Sequence, residues 1–207
     1  MRRYLFLSAL FLSLSTLSAR ANIVANPSFE LPAIPNGTWT LNDSLPNWSL
    51  ASGPYIEVQN HAAGSPFDGN QFVELDSTGE SSIYQDLSTI AGAQYFLSFA
   101  FSPRPGVAVN SMGVSWNGSS VTTIHADGTG LPDTSWTVYS FTVTASSTIT
   151  RLQFSGLGPS DSLGEYIDAV SVDTTPEPSS IMLCFGGLLF AAARYRKHAG
   201  RQRQELA

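Results

Sequence analysis

Acidic side chains dominate the chemistry this chain could perform. Between Asn22 and Pro178 there are 15 Asp or Glu residues but only two cations, Arg104 and Arg151, a net charge of about −13. Glu57, Glu74, Asp76 and Glu165 could in principle supply the two facing carboxylates that glycoside hydrolysis requires. With so many acids on one domain, proximity between some of them is expected by chance. His61 and His125 are the only histidines in this region, which holds no cysteine. It has no Gly-x-Ser-x-Gly elbow, phosphate-binding glycine loop or clustered zinc ligands. These residues argue against an enzyme. The negative charge also argues against a nucleic-acid partner, whose phosphates need cationic neutralisation.

Aromatic side chains offer a different chemistry. An indole or phenol ring can stack on the C–H face of a sugar while neighbouring polar groups bond its hydroxyls. Trp39, Trp48, Tyr55 and Trp116 lie in or beside expected loops and short strands, so they are the candidate ligand-binding residues. Asn47, Gln59, Asn60 and His61 could supply the hydrogen bonds. The competing reading places Trp48 and Trp116 in the core or at its rim.

The elements that must position these residues are strands. In Tyr95–Phe101, the side chains of Tyr95, Leu97, Phe99 and Phe101 share one face, because successive strand residues alternate sides. Tyr139, Phe141 and Val143 repeat the pattern, as do Leu152 and Phe154. Further strands are expected at Ile23–Phe29, Tyr55–Val58, Gln71–Asp76, Ser81–Leu87, Ser111–Trp116, Val121–His125 and Tyr166–Asp173. About ten short strands between residues 22 and 175, punctuated by Gly, Pro, Asn, Ser and Thr, predict an all-β, two-sheet sandwich of the jelly-roll kind.

Both ends of the chain read as targeting signals. Arg2 and Arg3 precede the apolar run Tyr4–Leu12, and small residues follow up to Ala19-Arg20-Ala21. That order marks residues 1–21 as a signal peptide cleaved after Ala21. At the other end, Pro176-Glu177-Pro178 precedes the apolar stretch Ile181–Ala193 and the basic cluster Arg194, Arg196 and Lys197. A single transmembrane helix over about 179–195 is expected, short against the roughly 20 residues of a comfortable span. Its basic end would stay cytoplasmic. Residues 201–207 form a tail. Cys184 lies inside the apolar stretch, so the exported domain can form no disulfide.

This C-terminal order resembles the PEP-CTERM sorting signal of Gram-negative-type bacteria, over residues 176–200. The resemblance implies export by the secretion machinery and an inner-membrane-tethered intermediate. It also implies recognition by an exosortase and final residence at the cell surface or in the extracellular matrix, with a link to biofilm and exopolysaccharide. The body resembles galactose-binding-domain-like jelly rolls, among them carbohydrate-binding modules and plant cell-wall proteins. Asn22–Glu30, Asp68–Asp76, Ser82–Leu87, Tyr95–Phe99 and Ile167–Val172 carry that likeness. It implies a structural calcium ion held by Glu30 and Asp168 between the first and last strands. Asp168, read on one strand face with Val170 and Val172, would need such a cation to offset its desolvation. Two functions stand: an extracellular polysaccharide-binding surface protein, or an adhesive matrix protein whose partners are other proteins.

Overall fold

Alternating apolar side chains build two sheets that bury them face to face. The computed structural model describes residues 21–175; residues 1–20 of the expected signal peptide, the Pro-Glu-Pro segment, the apolar stretch and the basic cluster lie outside them. Twelve strands form: β1 (Thr38–Asn42), β2 (Ser44–Leu45), β3 (Trp48–Ser52), β4 (Ile56–Asn60), β5 (Phe72–Glu74) and β6 (Ser82–Ser88). They continue as β7 (Gln94–Ser102), β8 (Asn110–Trp116), β9 (Ser119–Ala126), β10 (Thr137–Thr144), β11 (Ile149–Gly156) and β12 (Tyr166–Thr174). The first sheet runs β1-β4-β5-β12-β7-β10 and the second β2-β3-β6-β11-β8-β9, with every ladder antiparallel. The chain therefore crosses repeatedly between layers, and the expected sandwich forms.

The inward face of β7 is the one its alternation predicts: Tyr95, Leu97, Phe99 and Phe101 are all buried in the core. Phe154 of β11 meets Phe99 edge-on at 5.1 Å, and Trp48 lies 6.1 Å from Phe154. Ile56, Val58, Val73, Val143, Ile167, Val170 and Val172 add to the first sheet's contribution.

Three local expectations are corrected. Residues 23–29 form no strand, because Asn26 and Phe29 adopt left-handed backbone (φ 51° and 56°) and turn the chain. The segment still docks along β12: Ile23 N–H donates to Val172 O (3.0 Å) and Val170 N–H to Pro27 O (2.9 Å). Strands β1 to β3 form over residues 38–52, a stretch that is absent from the expected strands. Finally, β12 carries a bulge between Asp168 and Ser171, with Ala169 at φ 48°. Two residues of β12 there oppose one of β7, and alternation resets. Asp168 pairs with Ala100, whereas Ile167 pairs with core residue Phe101. Asp168 thus faces away from Val170 and Val172, toward the outer side of the sheet.

Candidate functional site

The outer face of the first sheet carries a second, smaller packed layer. Phe72 contacts Tyr166 at 4.7 Å and Trp136 at 5.8 Å, and Phe67 closes on Trp136 at 6.2 Å. The loop through residues 61–71 is tied over this layer. Tyr166 donates its hydroxyl to Ala63 O (3.0 Å) and Trp136 its indole N–H to Ser65 O (2.8 Å). This loop covers part of the sheet and leaves the β1–β4 side open.

The open part is a cleft of about 470 Å³ lined by Trp39, Leu41, Glu57, Gln59, Ala63 and Arg104, with Ser77, Thr78 and Ser162 among its other walls. Pleating explains the lining. Ile56 and Val58 of β4 point into the core, so Glu57 and Gln59 point out. Trp39 stands opposite Gln59 and Leu41 opposite Glu57 in the β1–β4 ladder, which places all four on one face. Trp39 is 56% exposed. Its ring forms an apolar wall beside a strongly polar floor.

That floor is fully hydrogen-bonded. Gln59 Nε2 donates to Glu57 Oε1 (3.0 Å) and also to Glu74 Oε2. Glu57 and Glu74 are direct cross-strand partners. Glu74 further accepts from Arg104 Nη1 and from Gly164 N–H (2.9 Å). Burial pushes both carboxyls above the ordinary range, Glu74 to about 8; the Glu57 charge adds to the rise at Glu74, whereas hydrogen bonds from Gln59 and Glu74 temper the rise at Glu57. Arg104 opposes that rise. The two acids therefore sit side by side, bridged by one amide, on a common floor. Glycoside hydrolysis needs carboxylates on opposite sides of the sugar, an arrangement this pair does not make.

The other sequence candidates scatter. Trp48 is fully buried and donates its indole N–H to Asn26 O (3.1 Å), so it is core and unavailable for stacking. Trp116 is 5% exposed, packed against Tyr95 and bonded to Thr144 O, and is likewise a packing residue. Tyr55 is 37% exposed but does not line the cleft. Asn60 is spent on Ile34 O, and Asn47 occupies an exposed turn at φ 69°. His61 lies just beyond β4, bonded to Asn60 Oδ1. Arg104 is the cleft residue that sequence reasoning missed. Its signal was being one of two cations in an acidic body.

Glu30 and Asp168 do reach the same loop. Glu30 Oε1 accepts N–H bonds from Asn70 (2.7 Å) and Gln71 (2.8 Å). Asp168 Oδ2 accepts from Phe67 and Asp68, both at 2.9 Å, and Oδ1 from Ala169. Burial raises the Asp168 pKa to about 7 against these stabilising amides. Hard carboxylate oxygens suit calcium. Here they already cap backbone donors, and among the described residues no three His, Cys, Asp or Glu side chains stand gathered as a metal-binding group.

Fold and cleft together define a β-sandwich with an aromatic-walled groove on one outer face. The chain belongs to the DUF642 family, described as proteins of unknown function, which matches residues 22–173. A PEP-CTERM protein-sorting motif matches residues 174–197 and marks the chain as exported and sorted at the cell envelope. A multifunctional-autoprocessing repeats-in-toxin protein of Vibrio cholerae serotype O1 is 31% identical over 152 residues, 72% of this chain. Its counterpart in Vibrio vulnificus is 29% identical over 141 residues, 66% of this chain. This chain spans only 3% of the length of either relative. Among solved structures, TmCBM61 in complex with beta-1,4-galactotriose is 18% identical with a TM-score of 0.47, covering 75% of this chain and 99% of that one. A family 35 carbohydrate binding module from an environmental isolate is 18% identical with a TM-score of 0.46, covering 68% and 97% respectively. Neither likeness is close enough to carry a ligand over.

Proposed function

We propose that this protein is a non-catalytic glycan-binding protein of the cell surface or extracellular matrix, and that the Trp39 cleft is its binding site. The observation that carries the reading is the placement of Trp39. An edge-strand indole stays 56% exposed on a face otherwise built from Glu57, Gln59 and Arg104. Apolar ring and hydrogen-bonding floor are what a sugar's two kinds of surface need. The acidic body favours a neutral polysaccharide, since an anionic polymer lying on it remains within the roughly 8 Å screening length. The sorting motif supports a place at the envelope, with an exosortase as processing partner and exopolysaccharide or biofilm as the setting. A structural calcium ion at Glu30 and Asp168 belongs to the same proposal, supported by the burial of Asp168 and by the loop both acids hold.

Pull-down on soluble and insoluble polysaccharides across a salt series, with and without chelator, tests the reading. Capture of a neutral polysaccharide that changes little with salt is expected, because stacking and neutral hydrogen bonds release no counterions. Salt-sensitive, calcium-dependent capture of anionic polymers alone would overturn the neutral-sugar reading. Capture of no glycan at all would favour the protein-binding matrix alternative.

A further inference from the structure

Behind the cleft wall lies a second acidic cluster with an anomaly that the rest of the described molecule lacks. Asp76 and Glu80 face each other in an isolated antiparallel bridge across the turn 76–80, and Glu165 sits just before β12. Asp76 is 0% and Glu165 1% exposed. Asp76 Oδ2 accepts from Asp161 N–H (2.8 Å) and Ser162 N–H (3.0 Å), while one oxygen of Glu165 accepts from Ser111 N–H (3.2 Å). The remaining oxygens lack a well-formed hydrogen bond: Asp76 Oδ1, Glu165 Oε1, the neighbouring Ser77 Oγ, and both carboxylate oxygens of Glu80, which the Gly158 backbone approaches. Among the described residues, these five are all the buried side-chain polar atoms left unpaired.

Buried oxygens of this kind are costly unless something neutralises them. Protein cations do not. Arg104 is committed to Glu74, and Arg151 holds Asp86 with bonds of 2.8 Å on the far sheet. The backbone is shaped to let the acids in. A methyl group on Gly158 would lie 3.4 Å from Glu80 Oε1 and 3.7 Å from Glu165 Oε2, so both carboxylates approach the same bare stretch of chain. A methyl on Gly156 would overlap Glu80 Oε2 and stand 3.0 Å from Leu75 O.

We infer that Asp76, Glu80 and Glu165, with the Ser77 hydroxyl, form a binding site for a divalent cation of the calcium type. The unpaired atoms are all hard oxygens, and a flexible, oxygen-only shell is what calcium takes. The three carboxylates are not already drawn together as a closed coordination group. Glu80 is half-buried at the end of the turn, so an ion would have to draw its carboxylate toward the other two. The site is separate from Glu30 and Asp168, whose oxygens cap the 67–71 loop, and it does not depend on glycan binding. Ser77 and Ser162 also line the cleft, so the ion would join turn 76–80 to segment 157–165 behind that wall.

Calcium titration by calorimetry on the purified full-length chain in mild detergent tests the inference, with magnesium as control. The Glu80→Gln/Glu165→Gln variant is expected to lose one equivalent of calcium that Asp168→Asn retains. Glu80→Gln alone, which keeps the size of a half-buried side chain, is expected to weaken that equivalent at least tenfold. Calcium uptake unchanged in both Gln variants would overturn the inference. So would a wild-type chain that takes up no calcium, since protons or water would then satisfy the cluster.

Discussion

Trp39 and Gln59 are direct partners in the β1–β4 ladder, which sets the exposed indole beside the amide that ties Glu57 to Glu74. Neither residue alone specifies a site. Their register makes one, because the pairing fixes ring and polar floor on the same side of the sheet. A one-residue slip would turn Trp39 to the opposite face.

The two tryptophans of the early strands should separate cleanly on mutation. Trp48→Ala removes a fully buried ring from the core and should cost about 3–5 kcal/mol of stability. Trp39→Ala removes an exposed ring and should leave the denaturation midpoint within about 0.5 kcal/mol of wild type. Urea unfolding followed by fluorescence distinguishes them; equal losses would place Trp39 in the core after all.

Arg104 holds a carboxylate that is itself buried. Arg104→Ala strands Glu74 without its ion-pair partner and should destabilise most above pH 8, where Glu74 is ionised, by up to about 3–5 kcal/mol. At pH 5 the penalty should shrink, because Glu74 can escape by keeping its proton. A cost independent of pH would mean that the guanidinium contributes packing rather than charge.

Several buried carboxyls give stability a particular pH dependence when chelator is present. Glu74 and Glu165 are held near 8, and Glu80 and Asp168 near 7, in each case mainly by desolvation. The folded chain thus keeps protons that the unfolded chain has shed above about pH 5. That contribution is complete at low pH and is lost as pH rises through 7 to 8. Melting temperature should fall from pH 5 to pH 9 in chelator. A flat or rising profile would contradict these environments.

Much of the sandwich was legible because core strands obey a period of two. Tyr95, Leu97, Phe99 and Phe101 announce β7 unaided, since one face must be apolar. The failures have local causes. In β1 the apolar pair Trp39 and Leu41 faces the outer side of the sheet, so its pattern does not read as a core strand. Asn26 and Phe29 break an apparent first strand through backbone handedness, which composition does not reveal. The bulge at Ala169 inverts the facing of Asp168 without leaving a mark in the apolar pattern. For the cleft, individual residues were visible but the pairings of Glu57 with Glu74 and of Arg104 with Glu74 were not. Those depend on ladder register and on a loop returning 30 residues later.

The sorting segment makes a prediction independent of the cleft. Replacing Pro176, Glu177 and Pro178 together by Ala should leave export intact and accumulate an unprocessed, membrane-bound form. Immunoblots of cell fractions read the outcome. Identical size and location for variant and wild type would rule out processing at that segment.

The claim that the Trp39 face binds glycan is tested most directly by affinity electrophoresis in gels containing neutral polysaccharides. Wild type, Trp39→Ala and Tyr55→Ala should be compared, because Tyr55 is exposed but lies outside the cleft. Loss of one stacking ring is worth up to about 1.5 kcal/mol, roughly tenfold in affinity. Wild type and Tyr55→Ala should be retarded equally by at least one neutral polysaccharide, and Trp39→Ala should run as it does in an empty gel. Retardation of Trp39→Ala equal to that of wild type would contradict the assignment of this face.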